Sequence, residues 1–384
     1  MTYQLQDNQF SDVCELLNEQ GFEGMKEAMT LLINEAMRLE RQMHLGAAPF
    51  ERSESRQGYA NGYKPKSVTT RLGKLELQVP QTRGTEFYPS ALEKGIRSER
   101  ALKLAIAEMY VQGVSTRKMA KITEELIGTE VSSMQVSRAA AQLDDVLSAW
   151  RERQLCETPY LILDARYEKV RHGGQVIDCA VLVAVGISPS GHRSVLGCSV
   201  SLSEAEAHWR DFMNKLVSRG LTGVRMIVSD DHAGLKAARR AVFPSVPWQR
   251  CQFHLQQNAG AYVPQQAMKT QVASEIRSIF QSSDQASAEA LLKQFVARHE
   301  EKAPELSRWA ETNLPEGLGV MGLAQSHRRL LRTTNMLERQ NKEIKRRTRV
   351  ATLFPNTDSC LRLVSAVLME VSEGWETGRK YLTM

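Results

Sequence analysis

The sequence predicts a mixed α/β core interrupted by an all-helical insertion and preceded by a helical and β-hairpin N-terminal region. Three observations carry that prediction. From Pro159 onward, apolar runs of strand length alternate with segments of helical period; two of those runs end in carboxylates, Asp164 and Asp230; and the stretch from Leu255 to about Leu330 keeps helical period without a strand signal. At 384 residues the chain is too long for one compact core. Its composition and punctuation divide it at 1–50, 51–97, 98–153, 154–254, 255–330 and 331–384.

The first segment is helical. Val13, Leu16, Leu17, Met25, Met29, Leu32, Ile33, Ala36 and Met37 recur with helical spacing, and charged residues fill the other face. A turn-rich stretch from Arg52 to Lys66 follows, containing Gly58, Asn61, Gly62 and Pro65. Ser67 to Pro80 then alternates, breaks at Leu72-Gly73 and stops at Pro80, which predicts a β-hairpin. Its basic residues, including Arg56, Lys64, Lys66, Arg71, Lys74 and Arg83, suit a nucleic-acid backbone or simply a solvated ribbon.

Between Ser98 and Trp150 the cadence is helix-turn-helix. Gly113 ends a helix begun near Arg100, Ser115 caps the next, and Ser132 or Ser133 caps a last helix running towards Trp150. Arg117 and Lys118 on the middle helix, with Ser133, Gln135, Ser137 and Arg138 on the last, are the candidate DNA contacts. The same pattern also describes an ordinary helical bundle.

After a linker at Arg151 to Pro159, the strand Tyr160-Leu-Ile-Leu163 delivers Asp164. Leaving an ionised carboxylate in a sheet interior costs several kcal/mol, so Asp164 requires hydrogen bonds, a cation or a changed pKa. Two further strands, at Val176 to Val185 and Arg193 to Val200, follow short Gly-containing turns and complete an antiparallel meander. Ser203 opens a helix through Leu216; Val224 to Ser229 forms the strand ending at Asp230; a helix spans Ala233 to about Val242, and a short strand Val246 to Cys251. The order βββαβαβα, with acids on the first and fourth strands, is the ribonuclease H-like arrangement. No Gly-x-Gly-x-x-Gly follows a strand, which excludes a dinucleotide-binding reading.

A third acid, Glu338, lies in a basic helical stretch. From Arg328 to Arg349 the bases Arg339, Lys342, Lys345, Arg346, Arg347 and Arg349, among others, face only Glu338 and Glu343. Three carboxylates without a matching His or Cys set favour hard, oxygen-preferring ions, Mg²⁺ or Mn²⁺, two to a site. The surrounding bases suit phosphates, as does the overall balance of 50 Lys and Arg against 44 Asp and Glu. An amphipathic helix from Phe354 to Trp375 closes the chain and is expected to pack on the sheet.

Cys251 and His254 form a Cys-x-x-His pair, but no second Cys or His pair of zinc spacing accompanies it. His254 read by itself is open to a place as a satisfied core histidine, and Tyr167 and Trp248 read as core packing rather than base stacking. The six cysteines are scattered, no secretory signal precedes them, and no apolar run is long enough to span a bilayer. A cytoplasmic, nucleoid-associated protein with reduced thiols is expected.

Four blocks resemble the Mutator-type transposases of bacterial insertion sequences: Asp164-Ala-Arg-Tyr-Glu-Lys-Val-Arg171, Val228-Ser-Asp-Asp-His-Ala-Gly-Leu235, Trp248-Gln-Arg-Cys-Gln-Phe-His254, and Thr334-Asn-Met-Leu-Glu-Arg-Gln-Asn341 leading into Lys345-Arg-Arg-Thr-Arg-Val350 and Phe354-Pro-Asn356. The resemblance covers nearly the whole chain. It implies an Asp-Asp-Glu triad at Asp164, Asp230 and Glu338, a helical insertion before the Glu, DNA binding by the N-terminal part, and a family signature at Cys251 and His254 near the active site, where His254 is expected to contact the scissile phosphate or the DNA flanking it. The implied partners are double-stranded DNA, as terminal inverted repeats and as target, and further copies of the chain; Arg250 is expected to contact DNA with the bases named above. The implied route is copy-out through a circular intermediate. At Asp231 the chain departs from the family's usual Gly, which leaves two neighbouring acids as candidates for the second ligand, Asp230 being preferred. A ribonuclease H-like nuclease or resolvase, and a non-catalytic DNA-binding repressor, are the alternative functions.

Overall fold

The computed structural model describes residues 7–48, 51, 54–92, 100–127, 131–349 and 353–383. They form two compact units, Met1–Gln142 and Leu143–Met384. Among the described residues no helix is long and apolar enough to cross a membrane.

The first unit contains α1 (Asp7–Gln20), α2 (Met25–Leu45), β1 (Tyr59–Thr70), β2 (Gly73–Arg83), α3 (Arg100–Val111), α4 (Thr116–Ile127) and α5 (Ser133–Ala141). The β1–β2 hairpin closes at Thr70↔Gly73, where Gly73 takes a positive φ that a side chain would strain. Alternation buries Leu75, Leu77 and Val79 of β2, and Leu75 and Leu77 cluster with Met37 of α2. The ribbon is longer than the alternating stretch predicts: it starts at Tyr59, within the expected turn region, and continues through Pro80 to Arg83. A two-stranded ribbon consists of edges, so Pro65 and Pro80 fit it without breaking an inner ladder.

The helix expected to run from Ser132 to Trp150 ends instead at Ala141, and α6 (Asp144–Glu152) belongs to the second unit. That unit continues with β3 (Tyr160–His172), β4 (Gln175–Ile187), β5 (Arg193–Ser201), α7 (Glu206–Ser218), β6 (Met226–Ser229), α8 (Ala233–Val242) and β7 (Trp248–Arg250). Next come α9 (Gln252–Ala259), α10 (Lys269–Phe280), α11 (Gln285–His299), α12 (Pro304–Asn313), α13 (Gln325–Leu331), α14 (Asn335–Thr348) and α15 (Thr357–Glu376). Ser203 lies outside the start of α7, whose N-cap is Ala205.

The five strands form one mixed sheet, ordered β5-β4-β3-β6-β7. β3, β4 and β5 pair antiparallel, whereas β6 runs parallel to β3 and β7 parallel to β6. Leu161 and Leu163 of β3 face a core with Leu182, Trp209, Phe212 and Leu235, contributed by α7, α8 and β4. Residues one position along a strand point to the other face, which gives Ile162 and Asp164 the opposite side. There α15 covers the sheet with Leu363, Val364, Val367 and Leu368, all buried. The helices α9 to α12 enclose a separate apolar core around Ile276, Phe280, Phe295 and Leu306.

Candidate active site

Backbone register brings the first two acids together. In the parallel pairing Ile162 stands opposite Val228, so Asp164, on β3, and Asp230, the residue just past the end of β6, emerge at the same end of neighbouring strands. Adjacent strands run about 4.8 Å apart, and Asp164 feels the charge of Asp230. Burial, above all, pushes the Asp164 carboxyl up to about 7; the His254 charge, the Ala165 N–H and Asn341 oppose that rise, and Asp230 adds to it. Asn341 Nδ2 donates to Asp164 Oδ2 at 2.7 Å.

Glu338 and Asn341 sit three residues apart on α14, hence on one helical face. Five tethers set that helix. At its start, Thr334 donates through both N–H and Oγ1 to the buried Cys251 sulfur at 3.4 Å. Beside that contact Gln252 N–H donates to the Arg332 carbonyl at 2.9 Å. Further along, Arg166 of β3 donates to the Asn341 carbonyl, and Thr348 donates to Glu168 at 3.0 Å. Finally Arg347 forms a bidentate pair with Glu370 of α15, at 2.5 and 2.9 Å.

His254 spans the remaining gap, with Nδ1 3.5 Å from Asp230 Oδ1 and Nε2 3.7 Å from Glu338 Oε1. Interaction with the Cys251 sulfur, first of all, lifts the imidazole to about 9; burial works against this, and Asp230 and Glu338 reinforce it. Burial raises the Cys251 thiol, but hydrogen bonds with His254 and Thr334 more than offset burial and leave it below its ordinary value. The Cys-x-x-His spacing therefore forms a joint: the sulfur anchors α14, and the imidazole one helical turn later lies between two acids.

Among the described residues, Asp230 Oδ1, Glu338 Oε1 and His254 Nδ1 are buried polar atoms without a hydrogen-bond partner. Such atoms are costly unless a ligand satisfies them. No three His, Cys, Asp or Glu side chains among the described residues already hold metal-ligand geometry. The oxygen donors nonetheless fit a hard divalent cation in kind and charge, since Asp164, Asp230 and Glu338 offer carboxylates gathered around one imidazolium.

Asp231 is arranged differently. Its Oδ1 pairs with Lys236 Nζ at 2.9 Å and its Oδ2 with Arg250 at 3.0 Å. Both cations also reach Glu316, and Arg250 donates to Asn313 as well, which ties the end of β6 to the last residue of α12 and the turn after it.

The sequence model of the family described as "Transposase, Mutator family" matches residues 3–378. The chain belongs to this family. It is 57% identical over 384 residues to the transposase for insertion sequence element IS406 of Burkholderia multivorans, covering 100% of this chain and 99% of that one. With the transposase for element ISRM5 of Rhizobium meliloti it shares 44% identity over 363 residues, 94% of this chain and 91% of the relative. The transposase for element IS256 in transposon Tn4001 of Staphylococcus aureus is 38% identical over 366 residues, 93% and 92% of the two chains. A solved chain of the simian T-cell lymphotropic virus intasome bound to PP2A regulatory subunit B56 gamma overlaps 57% of this chain and 74% of its own, at 12% identity and a TM-score of 0.18, too loose a likeness to bear on the fold.

In this transposase the expected DNA-contacting bases divide into two groups. Arg117, Lys118, Arg138, Lys342, Lys345, Arg346 and Arg349 are exposed; the Arg339 side chain lies outside the described residues. Arg250 and Arg347 are corrections: both are buried and committed to carboxylates, so their charge holds the fold together. Gln135 is exposed, and its Oε1 accepts from Ser132 N–H at 2.8 Å in a capping box at the start of α5. Tyr167 is half exposed and interacts with Glu204, contrary to the core position expected of it. Sequence reasoning missed Asn341, Arg166 and Glu168 as positioning residues; all three lie inside the blocks that carry the resemblance.

Proposed function

We propose that the second unit is a ribonuclease H-like core and that the chain is a DDE transposase, binding the terminal inverted repeats of its element and cutting and joining DNA at Asp164, Asp230 and Glu338. The observation that carries this reading is the placement of Asp164 and Asp230 on parallel neighbours, with Glu338 joined to Asp230 through His254. The sheet order supports it as well, three antiparallel strands followed by two parallel ones.

The three carboxylates would hold Mg²⁺ or Mn²⁺, two ions, which supply activation of the attacking oxygen and stabilisation of the leaving 3′-oxygen. The chain's own residues do the rest. Asn341 fixes the rotation of the Asp164 carboxylate. His254 keeps Asp230 and Glu338 from repelling one another. Lys342, Lys345 and Arg349 continue the Glu338 face along α14 at spacings of three and four residues, and would align phosphates leading away from the acids. With water attacking, the site nicks an element end; with the freed 3′-hydroxyl attacking, it joins that end to target DNA. Handling two ends calls for a dimer or larger assembly.

Incubating the purified protein with labelled element ends, target DNA and Mg²⁺ tests the reading. Nicked and joined products are expected, and none from Asp164→Asn, Asp230→Asn or Glu338→Gln, each still binding the ends. Nicks without joined product would instead indicate a nuclease.

A further inference from the structure

Within the first unit a cavity of about 320 Å³ opens at the base of the hairpin, lined by Arg38, Arg41, Arg56 and Tyr63 among others. Arg38 is neutralised by Glu35, at 2.7 and 2.5 Å. Among the described residues, no carboxylate pairs with either of the other two guanidiniums. Arg41 is 7% exposed; it donates to the carbonyls of Gly62 at 3.2 Å and Gln81 at 3.5 Å and to Tyr63 Oη at 3.1 Å, and its Nε–H is buried with no acceptor. Arg56 donates to the backbone carbonyls of Ala48 and Glu51. A buried charge surrounded only by neutral dipoles lacks its counter-ion, and a planar guanidinium with a free N–H matches a phosphate oxygen.

The surroundings choose between phosphate sources. β1 is exposed from Tyr59 to Pro65, presenting Tyr59, Tyr63 and Lys64 beside the cavity. The guanidinium carbons of Arg56 and Arg41 lie over the Tyr59 and Tyr63 rings at 5.4 and 4.8 Å. Aromatic and basic side chains along one exposed strand suit a nucleic-acid strand better than a free ion.

We propose that this cavity seats a backbone phosphate of DNA on Arg41 and Arg56, giving the N-terminal unit a contact separate from α5. The proposal rests on the transposase reading and deepens it. In the full-length protein, Arg56→Gln is expected to weaken binding of an element-end duplex and of an unrelated duplex alike, about 5- to 10-fold. The slope of log affinity against log salt should shrink by about 1, the value for one lost phosphate contact. Arg41→Lys, which keeps the charge but loses the fork, should give an intermediate loss, and circular dichroism melting checks that both variants fold. A folded Arg56→Gln protein with unchanged affinity and slope overturns the proposal while leaving the transposase reading intact. So does protection of the cavity by inorganic phosphate at constant ionic strength with no effect on duplex binding. Failure of the unaltered protein to bind either duplex overturns both.

Discussion

Asp230 and Asp231 are adjacent in the chain and opposite in circumstance. Asp230 faces His254 with a buried oxygen that has no hydrogen bond; Asp231 has both oxygens paired, to Lys236 and Arg250. The same contrast divides α14, where Glu338 carries an unpartnered buried oxygen while Glu343, nearly a turn and a half later, is held well down, to about 2, chiefly by Arg346. Carboxylates saturated by bases hold elements together. Those left partly unsatisfied in a confined space are the ones suited to chemistry, because an incoming ligand improves their situation.

Substituting the two neighbours tests this contrast most severely. Asp230→Asn should lower end cleavage by at least about 10²-fold, in line with the loss of one preorganised charged group, and should leave melting unchanged or slightly higher. Asp231→Asn should do the reverse, keeping cleavage within a few-fold and lowering the melting temperature. If cleavage follows Asp231 rather than Asp230, the distinction drawn here is wrong.

Removing the base from the saturated side comes next. Arg250→Met leaves Asp231 and Glu316 with Lys236 as their one shared cation, and because those carboxylates are partly exposed the loss should be about 2–3 kcal/mol, below the full cost for a buried pair. Urea unfolding of the metal-free protein measures it.

A smaller effect should appear with pH. The Asp164 carboxyl, ordinarily at 3.8, is raised to about 7, so its contribution to stability is complete below its ordinary value and is lost as pH rises through about 7. For His254, raised from 6.5 to about 9, the contribution is present below 6.5 and lost as pH rises through about 9. The Cys251 thiol, held below its ordinary value by His254 and Thr334, contributes in the opposite sense, gaining stability as pH rises, and so offsets the His254 loss. Melting of the metal-free protein should therefore fall chiefly from pH 4 through about 7, a decline that Asp164→Asn should flatten, whereas rising stability over that range would contradict the electrostatics of the site. Added Mg²⁺ should stabilise more at pH 8 than at pH 6, since it competes with the proton on Asp164.

The smallest effect belongs to a purely local polar pair. Ser132→Ala removes the capping box of α5 and should cost about 1 kcal/mol in thermal unfolding of the first unit, with no change in cleavage of a pre-bound end.

Much of this architecture was legible in residue order. The meander shows in the apolar runs around Leu163, Leu182 and Leu196, and the acids show because a charge directly after three aliphatic residues violates burial. Less legible were features built from distant partners. Trp150 looks like the end of a helix begun at Ser132, but α6 is part of the second unit, where Asp144 pairs with Arg362. Arg250 and Arg347 look like phosphate ligands because a run of bases carries no record of which ones meet Glu316 or Glu370.

By itself the sequence determined the strands, the run of helices after β7 and the family, and it singled out three acids as candidates, because periodicity and misplaced charge are local properties of a chain. Tertiary structure alone decided that Asp164 and Asp230 come together, that His254 bridges to Glu338, that Cys251 anchors α14, and which bases are spent inside the fold. Those depend on register and on ion pairs between residues far apart in the chain, and a charge's energy is set by the neighbours that folding gives it.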